Sequence, residues 1–366
     1  MGFLKNIFRP NDSPVKSYID FWKWFSDNER LFYKVIKEHG DLEKKIFRKL
    51  SPKLNELQEG FWYEVGMCDD NTAELVITAD GVIKNIVFVE ELVNAAPKIN
   101  GWKFTALKPA LDIKEVYIEM AGYKFTRENL HFYINEQANY PDEIDISVVH
   151  DDCVEENKSP IASGVYIFLD TFLGELDFAM VIDNLKIAMR SEIDNELIPI
   201  EKLSAYLKWR QSEFIEKYVD SRHDTENDGH SILRAFHEDD GSPLIAVINT
   251  DLLNWNSKPS HPWILQIELP YKEGIGNGMP DDNTVSILDQ IENDVTLELK
   301  DFEGYLYIGR ETTKNVRKIY FACIDFRKPS KVMHKIQKKF EHQFTMSYDI
   351  YKDKYWQSFN RFNPDL

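Results

Sequence analysis

The sequence predicts an α+β chain of two domains, and three observations carry that expectation. The chain has 366 residues, the length of about two ordinary domains. Helical periodicity leads it, and short alternating strands cluster behind. From Pro243 onward the apolar runs read as one strand followed by the order β-α-β-β-α-β, the split pattern of the ferredoxin-like fold. The expected division is an N-terminal α+β domain over 1–199, a helix and acidic linker over 200–242, and a ferredoxin-like domain over 243–366 with one extra preceding strand.

The elements follow from local pattern. Ile19, Phe21, Trp22, Phe25, Leu31, Phe32, Val35 and Ile36 recur at helical spacing, and Gly40 stops that helix. Leu42, Ile46, Leu50, Leu54 and Leu57 form the stripe of a second helix, closed by Gly60. A hairpin is expected over 61–78, a helix over 86–96 before Pro97, and a strand over 102–107. Three short strands are expected between Val116 and Val149, and the run Val165–Asp170 reads as one more. Ile200–Val219 is an amphipathic helix, and the polar stretch DSRHDTENDGHSILRAFHEDDGSP after it reads as the domain boundary.

Composition excludes several functions. Apolar residues make up 43% and aromatics 13%, enough for a core in each domain. The formal net charge is −18. Residues 243–366 hold 16 Lys and Arg against 17 Asp and Glu, so nearly all of the excess lies before them. Such a front half repels phosphate backbones and anionic lipid, which disfavours nucleic acid as a partner. Cys68, Cys153 and Cys323 are far apart and form no CxxC, which argues against a disulfide framework or a zinc ribbon and for reduced thiols in the cytoplasm. No run approaches a membrane span. The opening MGFLKNIFRP lacks the apolar stretch of a signal peptide, and Asn6 stands where a myristoylation signal places Ser or Thr.

The most legible stretch is Phe302–Phe326, two alternating runs around a charged turn. Strict alternation places Tyr305, Tyr307 and Tyr320 on one sheet face with Lys318 beside them. An aromatic, lysine-bearing sheet face is how RNA-recognition domains stack bases, but the basic footprint is missing. A protein partner or a second copy covering these four residues is the expectation. His223, His230 and His237, with aspartates near, are the weak candidates for a metal site, although no ligand motif fits. The loop Gly274-Ile-Gly276-Asn-Gly278 meets neither nucleotide fingerprint, and Asp281 and Asp282 after it suit helix caps. Ser163-Gly164 and Cys68 lack a nucleophile pattern. No catalytic residue and no cofactor is assigned, and Trp255, Trp263 and Trp356 are read as core.

The segment running through HPWILQIELPY, GIGNGMPDDN, YLYIGRETTKNVRKIYFACID and YDIYKDKYWQSFNRFNP resembles DUF695, a bacterial domain family of unknown function. The GRETT–RKIYF hairpin and the ending Asp353, Trp356, Phe359 carry the resemblance. That family is similar to the regulator of ribonuclease activity B, an acidic protein that binds and inhibits ribonuclease E. The resemblance implies a non-enzymatic, protein-binding regulatory module acting on an RNA-processing protein. Two alternatives stand beside it: an enzyme or small-ligand or metal binder with a site between the domains, and RNA binding through the tyrosine face.

Overall fold

A computed structural model describes residues 14–194, 196–272 and 276–362. The opening MGFLKNIFRP and Gly274 lie outside the described residues. In chain order the elements are α1 (Tyr18–Lys37), α2 (Arg48–Leu57), β1 (Trp62–Asp69), β2 (Thr72–Thr78), α3 (Ile83–Asn94), β3 (Trp102–Ala106), β4 (Ile118–Met120), β5 (Tyr123–Phe125), β6 (Leu130–Ile134), β7 (Asp145–His150), α4 (Lys158–Leu173), α5 (Glu175–Val181), β8 (Asn184–Ala188) and β9 (Ile198–Pro199). There follow α6 (Leu203–Tyr218), β10 (His230–Phe236), β11 (Pro243–Asn249), α7 (Thr250–Leu253), β12 (Trp263–Pro270), α8 (Asp282–Glu298), β13 (Tyr305–Thr313), β14 (Val316–Cys323), α9 (Arg327–Phe340) and β15 (Ser347–Lys352). Helices and several sheets make the chain α+β, as its sequence predicts.

Two compact units form, but not at the expected boundary. The first joins the chain up to Thr126 with Ala162–Ala179, and the second joins Arg127–Ile161 with the chain from Met180 onward. The strands over 130–199 therefore belong with the C-terminal sheet. The expected linker also contains β10, whose exposed side chains hide its alternation.

In the first unit Ser17 caps α1 by accepting from the Asp20 amide. The apolar stripe of α1 then meets the β1-β2-β3 sheet: Trp22 lies 4.5 Å from Phe104 and Phe25 lies 5.0 Å from Trp102, centroid to centroid. The Glu175 carboxylate accepts from the Thr78 hydroxyl and from the amides of Ala79, Gly81 and Lys108. These bonds satisfy turn donors that would otherwise be stranded. Val165–Asp170, expected as a strand, lies inside α4. A helix apolar nearly all round shows no 3.6-residue contrast, so its run imitates a buried strand.

The second unit holds a four-stranded sheet, order β8-β7-β6-β9, and a six-stranded sheet, order β10-β11-β13-β14-β12-β15. All neighbours in the larger sheet are antiparallel. Its last four strands and two helices follow the expected β-α-β-β-α-β order, preceded by two strands rather than one. β12, between β14 and the edge strand β15, has Ile264, Leu265, Ile267 and Leu269 all fully buried. Helices α8 and α9 cover one face. The Tyr307 hydroxyl donates to Glu292 of α8, and Trp263 meets Phe326, which precedes α9, at 5.1 Å. The loop before α8 docks on the β13–β14 turn through Gly278, whose carbonyl accepts from the Asn315 amide. Gly278 has φ +79°, and a Cβ there would lie 3.1 Å from the Lys314 backbone, so glycine is required twice over. Asp281 caps α8 as expected, accepting from the Thr284 amide at 2.8 Å.

The opposite face is sealed by the tail. Asp353 accepts from the amides of Gln357 and Ser358 and so starts the 3₁₀ turn Gln357–Phe362. That turn lays Trp356, Phe359 and Phe362 over Tyr320, Ile264 and Leu306. Phe359 stands edge-on to Tyr320 at 5.1 Å, and Trp356 donates its indole N–H to the His261 carbonyl at 3.0 Å. Removing this seal leaves a cavity: Phe359→Ala should cost about 3–5 kcal/mol in urea unfolding. A loss under about 1 kcal/mol would show that the tail is not packed as core.

Candidate functional site

The four residues expected to form one aromatic surface are divided between two faces. Up to the turn, cross-strand pairing matches Gly309 with Tyr320 and Arg310 with Ile319. At Ile308 the register shifts, so Tyr307 pairs with Phe321 and Tyr305 with Cys323. One extra residue in β13 moves everything before it to the other face. Gly309, at φ +148° and with the Val247 carbonyl 2.3 Å from where a Cβ would sit, makes that bulge possible. Tyr305 and Tyr307 therefore lie under the helices, while Tyr320 and Lys318 face the tail side. Tyr320 is buried and donates to Glu311 at 2.5 Å, with Arg361 closing the group at 2.9 Å from Glu311. Lys318 pairs with Glu268 at 2.9 Å. No open tyrosine face results.

The three histidines are not brought together either. His223 pairs with Asp228 at 2.8 Å and lies 5.2 Å from the Trp255 ring. His230 starts β10 and contacts the Asp228 carbonyl, while His237, beyond the far end of β10, bonds the Thr313 hydroxyl at 2.8 Å. Among the described residues no group of three His, Cys, Asp or Glu side chains could hold a metal. Trp263 and Trp356 are core as expected, and Trp255 is half-buried against Trp356 at 6.1 Å. Ser163 and Gly164 lie in α4, and Gly164 abuts the Phe125 ring, where a Cβ would clash at 2.0 Å. Among the described residues no helix is long and apolar enough to cross a membrane.

Three features of the second unit escape the sequence. The first is a charged node. Asp183 receives Lys352 and Lys354, each at 2.7 Å, and accepts from the Ile144 amide. Lys352 also donates to the carbonyls of Met180 and Val181, and Lys354 to that of Asp142. The Asp142 carboxylate takes Lys217, Tyr218 and Tyr355. Burial pushes the Asp142 pKa up, but these three donors outweigh it and hold it below the ordinary value. Burial pushes Lys352 down to about 8 against the pull of Asp183. The Lys352 ammonium has all three donors taken by acceptors, and Lys354 has two taken and lies 4.5 Å from the Phe214 ring centre.

The second feature is a cleft of about 560 Å³ between the chain after β6 and the helix α6. Tyr206, Trp209 and Arg210, at i, i+3 and i+4 of α6, form one wall, and Tyr140, Glu136 and Glu143 belong to the other. The third is the free edge of β10. Among the described residues only β11 pairs with it, and Ile232 and Phe236 on it are 65% and 72% exposed.

Residues 235–362 match the model of a family described as "Family of unknown function (DUF695)", the segment that carries the hairpin and the Asp353-Trp356-Phe359 ending. No curated protein and no solved structure gives a match.

The node has a pH signature. Because Lys352 binds its proton less tightly when folded, its own contribution to stability rises with pH between about 8 and its ordinary 10.5, while the buried Cys323 thiol and Tyr320 hydroxyl, both raised by burial, pull the other way. Lys352→Met should therefore make the slope of stability against pH in urea titrations more negative across the window. Equal slopes in both proteins would show that Lys352 titrates as an ordinary lysine.

Proposed function

We propose that the chain is a binding module that recognises an extended segment of a protein partner along β10. The single observation behind this reading is an edge strand with apolar side chains and unfilled backbone bonds on the same residues. The amide of His237 donates to the Ser242 carbonyl at 2.9 Å, which fixes the alternation of the hairpin. On that count Ser231, Leu233 and Ala235 bond to β11, and the backbone groups of Ile232, Arg234 and Phe236 point outward. Their side chains share one face, beside Ile245, which is itself partly exposed. Natural edges of this kind are protected unless they are used.

The pattern also favours a particular occupant. Arg234 stands between Ile232 and Phe236, and among the described residues it has no ion pair. A second copy pairing about Arg234 would set two guanidinium groups opposite each other, which destabilises a sheet. Shifting that pairing sets Arg234 against Ile232 or Phe236 instead. A partner strand reading apolar, any, acidic, any, apolar fits both needs, in the manner of strand addition. The RNA-processing protein implied by the family resemblance supplies the partner class. An RNA strand fits poorly, since the chain has a net charge of −18.

Display of random octapeptides on the full chain tests this. Selected peptides should carry the apolar–acidic–apolar pattern, and Phe236→Asp should weaken them at least about tenfold while leaving the circular dichroism unchanged. Peptides without that pattern, or binding indifferent to Phe236→Asp, would overturn the assignment of β10.

A further inference from the structure

The cleft between the chain after β6 and helix α6 has a chemistry of its own, separate from the β10 edge. Its volume, about 560 Å³, lies in the range of small-molecule sites. Its walls are aromatic. Tyr206 and Trp209 lie 6.1 Å apart, Phe132 backs Tyr206 at 6.0 Å, and Tyr140 is braced by Tyr355 at 5.1 Å. Trp209 lines the cleft and is 55% exposed.

The charges fix the sign of the ligand. Glu136 and Glu143 line the cleft, the Glu143 carboxylate already accepting from the Asn184 and Gln357 amides at 3.0 and 2.8 Å, and Arg210 is the lining cation. Arg210 is already committed: it donates to the Pro141 carbonyl at 2.6 Å and pairs with Glu213 at 3.3 Å. Its guanidinium carbon lies 5.9 Å from the Trp209 ring centre, an interaction that shows the ring accepting a cation. The carboxylates thus outnumber the cation, and an anion would be repelled. Hydrogen-bond acceptors are present too. Gln137 and Asn135 both spend their amide N–H groups on the buried Asp145, at 3.1 and 2.6 Å. That turns the carbonyl oxygen of Gln137 away from Asp145, where it can accept.

We infer that this cleft binds a linear polyamine, its ammonium groups held by Glu136 and the Gln137 carbonyl in the field of the Glu143 carboxylate and its methylene chain laid across Tyr206 and Trp209. A quaternary ammonium would use the rings but leave the acceptors idle. A planar anionic ligand would use the rings but meet the carboxylates. An alkyl chain carrying several N–H donors uses both.

Isothermal titration of the full chain with spermidine tests the proposal, with octane-1,8-diol and a blocked Gly-Lys-Gly tripeptide as controls. Spermidine should bind, the diol should not, and the tripeptide should bind at least about tenfold more weakly. Trp209→Ala and Glu136→Gln, both changes at exposed positions that leave the fold intact, should each weaken spermidine by about tenfold. Absence of spermidine binding, equal binding of the diol, or affinity unchanged in both variants would overturn it. Tripeptide binding as tight as that of spermidine would overturn the free polyamine as the occupant.

Discussion

One carboxylate holds the second unit together. Asp183 sits where the chain enters β8, and the two lysines that meet it stand at the end of β15 and just beyond it. The four-stranded and six-stranded sheets of that unit are thereby joined by a buried ion group and not only by apolar contact. Removing one partner from such a group strands the others, whereas replacing the whole set by apolar residues can be neutral. The same node fixes the chain around Asp142, through Lys354 on its carbonyl and Tyr355 on its carboxylate. From there Pro141 and Tyr140 continue into the cleft wall. The position of the cleft wall thus depends on the position of Asp183.

Much of the fold was legible because most elements carry their own period. The β-α-β-β-α-β order could be read from alternating runs broken by amphipathic ones, and Asp281 announced the start of α8. Three misreadings have separate causes. The run 165–170 is a helix whose outward residues Tyr166 and Ile167 are apolar like the buried ones, so the sequence shows no helical contrast. Tyr305 and Tyr307 part from Tyr320 because Gly309 passes close to Val247 of β11, a residue far back in the chain. β10 looked like linker because an edge strand exposed on both sides need not alternate strongly.

The candidate site was less legible than the fold. The histidine-rich stretch attracted attention by density, yet density does not converge: His223, His230 and His237 each satisfy a different local partner. The cleft gave no signal because its two walls come from 134–143 and 206–210, and neither contains a motif. The one residue that could have pointed to it is Trp209, a large aromatic on the polar side of an otherwise ordinary amphipathic helix, where burial does not explain it.

The tail that seals the larger sheet is also the last of its parts to be made. Trp356, Phe359 and Phe362 leave the ribosome after every strand they cover, so for that interval the nascent sheet shows Tyr320, Ile264 and Leu306 to its surroundings. A chain stalled or clipped between β15 and Trp356 would keep all its strands and both covering helices, and would display a greasy surface that the finished protein never shows.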